Sequence, residues 1–217
     1  MMIKNNVYFN NRGEAGKQLA VILQKYRNKD VVIFALPRGG VPVAKEIARE
    51  FNSPLDLLII RKIGHPYNPE YAIGAISEGG LLILNEDELR TIDKNWLEDE
   101  LEKQKREARR RRELYLKNKS PIDAKGKIAI IIDDGIATGS TMLVAIKELR
   151  RRQPEKIVVA VPVAPKDTAE LIKKEVDEFI AIFIPEYFLG AIGAYYEDFT
   201  QVSDEKVIAL LEEDQKT

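Results

Sequence analysis

The sequence contains no cysteine and a single histidine, His65. Disulfide bonds and thiolate metal sites are therefore excluded, and so is a metal or catalytic site built from several histidines. No stretch approaches the roughly 18 consecutive apolar residues that a membrane-spanning helix needs. The first eleven residues are polar and lack the apolar stretch of a secretory signal, so we expect a cytoplasmic protein with no membrane partner.

Charge of either sign is not in excess. The 34 Lys and Arg residues and the 35 Asp and Glu residues give a formal net charge of -1, which provides no general attraction to nucleic acid or to anionic membranes. Apolar residues make up 45% of the 217 residues. This is enough apolar material for one folded domain with a full core.

Apolar runs alternate with segments of helical periodicity along the chain. Continuous apolar runs, typical of strands buried on both faces, occupy residues 31–36, 55–60, 128–132, 157–163 and 179–184. Helical spacing covers residues 13–26, 41–51, 140–151, 168–175 and 204–212. The alternation predicts an α/β fold with a Rossmann-like, largely parallel sheet flanked by helices. We expect one domain over residues 1–217, into which residues 64–118 insert a hairpin around Glu78-Gly79-Gly80 and a long helix.

The long charged segment, residues 86–117, interrupts the alternation and contains four consecutive arginines at 109–112. A thin apolar stripe runs through it at helical spacing, formed by Trp96 or Leu97, Leu101, Gln104, Ala108 and Tyr115. The pattern favours a solvated helix that packs on the domain or on a second subunit. A basic arm that binds RNA or DNA is the alternative. The interleaved acidic residues would repel phosphates, so we do not expect a nucleic-acid partner.

The most informative segment is residues 128–141, which read IAIIIDDGIATGST. A buried strand ends in Asp133 and Asp134, and a short loop with two glycines and three hydroxyl side chains then opens a helix. In open α/β sheets, ligands bind outside the carboxyl ends of the strands. The loop amides and the helix N-terminus form an anion site, and paired carboxylates accept hydrogen bonds from vicinal hydroxyls. A site for both a phosphate and a diol suits ribose 5-phosphate.

Residues 130–141 resemble the signature of the type I phosphoribosyltransferases, in which an apolar strand and two acids precede a Thr-Gly-x-Thr loop. The resemblance implies that family's fold and phosphoribosyl pyrophosphate as the donor. It also implies that Asp133 and Asp134 hold the ribose diol and that the following loop binds the donor, with its 5′-phosphate, through Gly135, Ala137, Thr138, Gly139, Ser140 and Thr141. The alternative is that the two aspartates merely end the strand and cap the next helix.

A second glycine-containing turn follows the first predicted strand, where residues 36–42 read LPRGGVP. The bare backbone at Gly39 and Gly40 permits close approach to an anion, and Arg38 supplies positive charge. Taken alone, a Gly-Gly turn indicates no more than a turn. The resemblance implies that this is the family's pyrophosphate loop, which often holds a cis peptide before a glycine; here that bond would join Arg38 and Gly39.

The segment of residues 61–70 reads RKIGHPYNPE and follows the second predicted strand. The family carries a mobile hood over the substrate in this region, so the resemblance implies that Arg61 and Lys62 neutralise the pyrophosphate. The alternative is a rigid, proline-rich surface loop. We expect His65 to be an exposed loop residue rather than a catalyst. The catalytic set implied by the resemblance is Asp133, Asp134, Arg38 and Lys62.

The acceptor side shows one departure from the family pattern. Family members that act on hypoxanthine and guanine carry an acid at the position of Ala137, whereas adenine-type members carry alanine there, so a 6-oxopurine acceptor is not expected. Tyr187, Phe188 and Tyr196 follow the last predicted strand and are candidates for stacking on an acceptor base. The alternative is that these aromatic residues only close the edge of the core.

Together these features indicate a phosphoribosyltransferase that passes ribose 5-phosphate to a nucleobase or small amine and releases pyrophosphate. We expect Mg²⁺ as cofactor, bound mainly through substrate oxygens and not directly by the protein, and we expect a homodimer. The alternative from another class is a non-catalytic regulatory protein that senses phosphoribosyl pyrophosphate, with the arginine-rich segment as its output surface. A third interpretation is the same fold with a different phosphosugar ligand.

Overall fold

The computed structural model describes residues 8–117 and 119–213. The sequence shows no secretory signal in the first eleven residues, and most of these lie outside the described residues. The described chain contains α1 (Arg12–Ile22), β1 (Val31–Ala35), α2 (Gly40–Phe51), β2 (Leu55–Leu57), β3 (Ile60–His65), β4 (Asn68–Ser77), β5 (Leu82–Leu84), α3 (Glu86–Leu89), α4 (Lys94–Leu116), β6 (Ile128–Ile132), α5 (Ser140–Arg150), β7 (Lys156–Val163), α6 (Lys166–Lys173), β8 (Glu178–Phe183) and α7 (Asp204–Glu212). None of its helices is long and apolar enough to cross a bilayer.

Five strands form a parallel sheet in the order β2-β1-β6-β7-β8. Strands β1 and β6 are buried at every position, because α1, α2, α7 and the end of α4 pack on one face of the sheet and α5 and α6 on the other. These two strands pair from Val31 with Ile128 to Ala35 with Ile132, which brings their carboxyl ends to the same edge. The predicted α/β fold, a parallel sheet flanked by helices, is confirmed.

A second, antiparallel sheet contains β3, β4 and β5. The β4–β5 hairpin turns at residues 78–81, as the glycine pair predicted. Residues 61–70 lie mostly in β3 and β4, so they do not form the surface loop of the alternative interpretation. Pairing of these strands buries Ile63 and Ile73 in an apolar cluster that includes side chains of α4. For the same reason His65 is a half-buried residue at the end of a strand. The sheet begins at Ile60 rather than at residue 64.

The charged segment forms two helices rather than one. The Asp93 side chain accepts a hydrogen bond from the Trp96 amide at 2.9 Å and caps the start of α4, which separates it from the short α3. Trp96 and Leu101 pack on the antiparallel sheet, and Tyr115 lies in the main core. The helix therefore packs on the domain, as its apolar stripe indicated.

A buried ion-pair cluster fastens α4 to the two sheets. The Arg112 guanidinium donates to Asp56 (Nη2–Oδ1, 3.1 Å), to Glu78 (Nη1–Oε1, 3.0 Å) and to the carbonyl oxygen of Leu57 (3.1 Å). The Asp56 side chain is only 2% exposed. Burial raises the pKa of Glu78, although the charges of Arg112 and Arg152 act in the opposite direction. The cluster holds α4, β2 and the β4–β5 turn together.

Candidate functional site

The loops that follow β1 and β6 touch at the carboxyl edge of the parallel sheet. A Cβ atom on Gly39 would lie 2.0 Å from Oδ2 of Asp134, and one on Gly40 would lie 2.7 Å from the carbonyl oxygen of Ile132. Both distances are too short for a side chain, so glycine is needed for the loops to approach this closely. Two sequence motifs that lie far apart in the chain therefore form one site.

The cis peptide of this region joins Pro37 and Arg38, so its predicted position between Arg38 and Gly39 was wrong by one bond. Gly39 has φ −62° and ψ −35° and is the N-cap of α2. The bond between Arg38 and Gly39 therefore leads into a helical turn, whose regular geometry requires trans peptides.

Arg38 is positioned by α4 and α7. Its Nη1 lies 3.2 Å from Oδ1 of Asp204, and the Tyr115 hydroxyl donates to the same oxygen at 2.7 Å. The Tyr115 hydrogen bond, followed by that of Arg38, lowers the pKa of Asp204. Burial, together with the bond to Asp204, raises the pKa of Tyr115 to about 12. Arg38 is thus held beside the cleft by an ionised carboxylate that a neutral tyrosine supports.

The two aspartates at the end of β6 have different surroundings. Arg12, at the start of α1, donates from Nε to Oδ2 of Asp134 at 2.7 Å, whereas Oδ1 of Asp133 accepts the backbone amide of Asp134 at 2.9 Å. Burial and then the charge of Asp134 raise the pKa of Asp133. Burial also raises the pKa of Asp134, and Arg12 opposes that rise. Each carboxylate keeps acceptor capacity, so the pair can bind two vicinal hydroxyls.

The loop after these aspartates is built to bind an anion. Gly139 has a φ of +83°, in the left-handed region that favours glycine, and it has no side chain to cap α5. The first amides of α5 therefore stay available to a ligand. From α6, the Thr168 hydroxyl donates to the carbonyl oxygen of Ala137 at 2.7 Å and holds the loop in place. The hydroxyl side chains of the loop line the cleft: Thr138, Ser140 and Thr141.

The loops border a cleft of about 740 Å³. Cationic side chains dominate its charged lining, in the set Arg12, Arg38, Arg61, Lys62 and Arg111, and the acidic side chains are Asp133 and Asp134. The structure brings to this cleft all but one of the residues predicted to bind the donor: Arg38, Gly39, Arg61, Lys62, Asp133, Asp134, Gly135, Ala137, Thr138, Gly139, Ser140 and Thr141. The exception is Gly40, which lies behind the loop against Ile132.

The aromatic residues predicted to bind the acceptor do not line this cleft in the described structure. Tyr187 is 82% exposed, and Phe188 stacks on a neighbouring tyrosine ring in a small aromatic cluster. Tyr196 is buried, and its hydroxyl supports the site from behind by donating to the carbonyl oxygen of Asp134 at 2.7 Å. Phe188 and Tyr196 thus close the edge of the core. The aromatic side chain in the cleft is Phe199, whose ring centroid lies 3.8 Å from the Arg12 guanidinium carbon.

Sequence reasoning missed Arg12, Arg111 and Phe199. Arg12 lies 122 residues from its partner Asp134, and nothing around it resembles a motif. Arg111 belongs to an arginine run that was interpreted as a solvated face. Phe199 follows the last strand, as the predicted aromatic residues do, and the abundance of aromatic residues there was the one available signal.

No group of three or more His, Asp or Glu side chains that could hold a metal ion occurs in residues 8–117 and 119–213. Asp133 and Asp134 are carboxylates beside a phosphate-type loop, which is a partial set of the oxygen ligands that Mg²⁺ prefers. This set suits a cation that takes most of its ligands from a bound substrate.

Comparison with known proteins agrees with this geometry. The phosphoribosyl transferase domain family matches residues 9–190. A Mycobacterium tuberculosis protein provisionally named a phosphoribosyl transferase is 42% identical over 206 residues, which cover 94% of this chain and 46% of that protein. The crystal structure of TT1426 from Thermus thermophilus is 41% identical, with a TM-score of 0.79, and the match covers 94% of this chain and 98% of that one.

A shorter match of 44% identity over 59 residues joins the chain to the ribose-phosphate pyrophosphokinase of Pyrococcus furiosus, over 26% of this chain and 21% of that enzyme. The chain spans about half the length of the Mycobacterium relatives. The family match nevertheless extends over most of the sequence. The chain therefore belongs to the phosphoribosyl transferase domain family.

Proposed function

We propose that the protein transfers ribose 5-phosphate from phosphoribosyl pyrophosphate to a nitrogen nucleophile and releases pyrophosphate. The observation that carries the proposal is the contact of the loops after β1 and β6, where the Gly39 backbone lies directly against Asp134. One loop offers Arg38 to a diphosphate. The other offers paired carboxylates and a phosphate loop to ribose 5-phosphate. A donor with a charge at each end and a diol between them fits both.

The charges of the cleft complement the proposed reaction. The nitrogen lone pair forms a bond to the anomeric carbon while the bond from that carbon to the diphosphate oxygen breaks, and the diphosphate leaves with the electron pair. The attacking nitrogen then loses its proton to solvent or to the diphosphate. Positive charge develops on the ribose, beside Asp133 and Asp134, and negative charge on the leaving group, beside Arg38 and Lys62. Such prearranged charges stabilise the transition state more than the ground state.

Mg²⁺ fits this proposal as a partner of the substrate. It would neutralise diphosphate charge and take most of its ligands from diphosphate and ribose oxygens. The residues that would lie next to it are Asp133 and Asp134, which line the cleft.

We place the acceptor on the part of the cleft that is lined by Ile192, Phe199 and Gln201. Ile192 lies against Gly135 at the end of the acidic loop, so this surface is near the proposed ribose. Its apolar area suits a planar ring, and the Gln201 amide can donate and accept hydrogen bonds at the ring edge. Ala137 lines the same cleft, and the absence of an acid there argues for an acceptor other than a 6-oxopurine.

The test has two stages. In the first, the melting temperature is measured with Mg²⁺ and phosphoribosyl pyrophosphate; a donor at 100 times its dissociation constant should add about 2.7 kcal/mol to the free energy of unfolding. In the second, pyrophosphate release is measured against a panel of nucleobases and small amines. The matched control is the variant with Asp133→Asn and Asp134→Asn, which should fold but lose the donor effect. Binding without release for any acceptor would favour the regulatory alternative, and the absence of donor binding would refute the proposal.

A further inference from the structure

Two guanidinium groups from different elements line the cleft on the side of α4. Arg61 lies in β3, and its Nε donates to Oε1 of Gln104 at 3.0 Å. Arg111 lies in α4, and its Nε donates to Oε1 of Glu107 at 2.8 Å. Gln104 is itself fixed, because its amide donates to Glu100 at 2.6 Å. Both guanidinium groups are thus held by side chains of α4.

This arrangement leaves the terminal nitrogens of both groups free. Within residues 8–117 and 119–213, no protein atom accepts a hydrogen bond from Nη1 or Nη2 of Arg61 or Arg111, and both residues face the cleft. A guanidinium that is anchored through Nε presents its two terminal nitrogens as a fork, which matches paired phosphate oxygens. The conformational entropy of ordering the two side chains has already been lost in the free protein.

The carboxylates that act on the pair also bind other cations. Glu100 acts on Arg61 and accepts from Lys103, and Asp204 acts on Arg111 and accepts from Arg38. Glu107 is shared between Arg111 and the exposed Arg110, which donates to it from Nε at 2.7 Å. Burial, followed by the positive charge of Arg111, lowers the pKa of Arg61. Two neighbouring cations repel each other, and an anion between them removes that cost. The terminal nitrogens that face the cleft are therefore suited to an anionic ligand.

The position of Arg61 and Arg111 in the cleft indicates which anionic group they bind. Arg111 lies one helical turn before Tyr115, whose hydroxyl donates to the same Asp204 oxygen that binds Arg38. Arg111 is therefore on the Arg38 side of the cleft, and its charge acts both on Asp204 and on Arg61. We infer that Arg111 holds the leaving diphosphate together with Arg61, for which the family resemblance already implies that role, so that the inserted helix α4 is a working part of the transfer site. This inference rests on the proposed function.

The pair would act most strongly as the reaction proceeds. When the bond between the anomeric carbon and the diphosphate oxygen breaks, the electron pair stays on the diphosphate and increases its negative charge. Donors that are already oriented toward that charge bind the product-like state more tightly than the donor. Loss of either guanidinium should therefore reduce the affinity for free pyrophosphate and lower kcat more than it raises the KM for the donor.

The experiment compares Arg111→Gln, Arg61→Gln and Arg111→Lys with Arg109→Gln, a change at an exposed arginine of the same helix that lies outside the cleft. Calorimetry with Mg²⁺-pyrophosphate and with ribose 5-phosphate gives two affinities for each variant. Each glutamine variant in the pair should bind pyrophosphate about tenfold or more weakly than wild type, with ribose 5-phosphate within about twofold. Arg111→Lys should fall between, because it keeps the charge and loses the fork. Arg109→Gln should match wild type.

Three results would overturn the inference: unchanged pyrophosphate affinity in Arg111→Gln, an equal loss in Arg109→Gln, or an equal loss for both ligands. An equal loss in the control would indicate general attraction by the helix, and an equal loss for both ligands would indicate a disturbed fold. Failure of the proposed function looks different. In that case wild-type protein binds neither pyrophosphate nor the donor, whereas failure of this inference alone leaves both wild-type affinities intact.

Discussion

Gly39→Ala should damage the site through a single steric collision. The backbone of Gly39 (φ −62°, ψ −35°) is in the ordinary helical region, so alanine meets no conformational barrier there. Its Cβ, however, would lie 2.0 Å from Oδ2 and 2.5 Å from Cγ of Asp134. That carboxylate cannot move freely, because Arg12 donates to the same Oδ2 at 2.7 Å. The backbone at the new alanine, the Asp134 carboxylate or the Arg12 guanidinium must therefore move.

The magnitude follows from the bond that is lost. If the Asp134 carboxylate turns away from the new methyl group, it gives up its hydrogen bond to Arg12, and a hydrogen bond to a charged group contributes about 1.5–3 kcal/mol. In a domain of this size, 1 kcal/mol shifts the melting temperature by about 2–4 °C, so Gly39→Ala should lower it by roughly 3–12 °C. Donor affinity should also fall, since the same carboxylate is proposed to hold the ribose diol.

A double-mutant cycle in urea unfolding tests this reasoning. In an Asp134→Ala background the colliding atoms are absent, so Gly39→Ala should cost less than about 0.5 kcal/mol, and the coupling between the two positions should account for the rest. If Gly39→Ala costs the same in both backgrounds, contact with Asp134 is not the reason that glycine is needed at this position.

Four further substitutions test the two ends of the cleft and the stability of the fold. Arg38→Ala should weaken the binding of pyrophosphate but not that of ribose 5-phosphate. Thr141→Val should weaken the binding of ribose 5-phosphate by about 1.5–3 kcal/mol but not that of pyrophosphate. Calorimetry with both ligands would contradict these roles if a variant lost affinity equally for the two. Asp133→Asn should raise the melting temperature near about pH 8, and this gain should shrink below about pH 4. The reason is that burial raises the pKa of Asp133, so that ionisation of its carboxyl destabilises the fold as the pH rises. A gain in melting temperature that does not change with pH would argue against this. Arg112→Met should cost about 3–5 kcal/mol in urea unfolding, because it leaves the buried charge of Asp56 without its cation, and a loss below about 1 kcal/mol would mean that the ion pair adds little.

The parallel sheet was predictable because its signal is local. Strands such as β1 and β6 are continuous apolar runs, and such runs are typical of strands that are buried on both faces of a parallel sheet. The loops after these strands were predictable for the same reason, since glycine and hydroxyl residues at strand ends have short-range consequences. Two details of this region were predicted wrongly: the position of the cis peptide and the place of Gly40, which lies behind the loop. Both depend on where the first turn of α2 begins.

The parts of the site that sequence reasoning missed depend on contacts between distant elements. Arg12 reaches Asp134 from the first helix, and Arg111 reaches the cleft only because α4 lies across β3. Arg61 was predicted near the diphosphate, but its orientation is set by Gln104 in that helix. Tyr196 was a reasonable candidate for base stacking, but packing turned its ring into the core and left its hydroxyl to support Asp134 from behind. Neither periodicity nor spacing carries this information.

The arrangement of charges also explains why such a site is costly to the free protein. Asp133 is buried beside a second carboxylate, and Arg61 is partly buried beside a second guanidinium. Each pairing of like charges destabilises the fold in the absence of a ligand. In the proposed reaction both costs would fall as the anomeric bond breaks, because the ribose would become positive next to the aspartates and the diphosphate more negative next to the arginines. On this proposal, the repulsions between like charges in the free protein would favour charge separation along the cleft, which is the direction that transfer from a diphosphate donor requires.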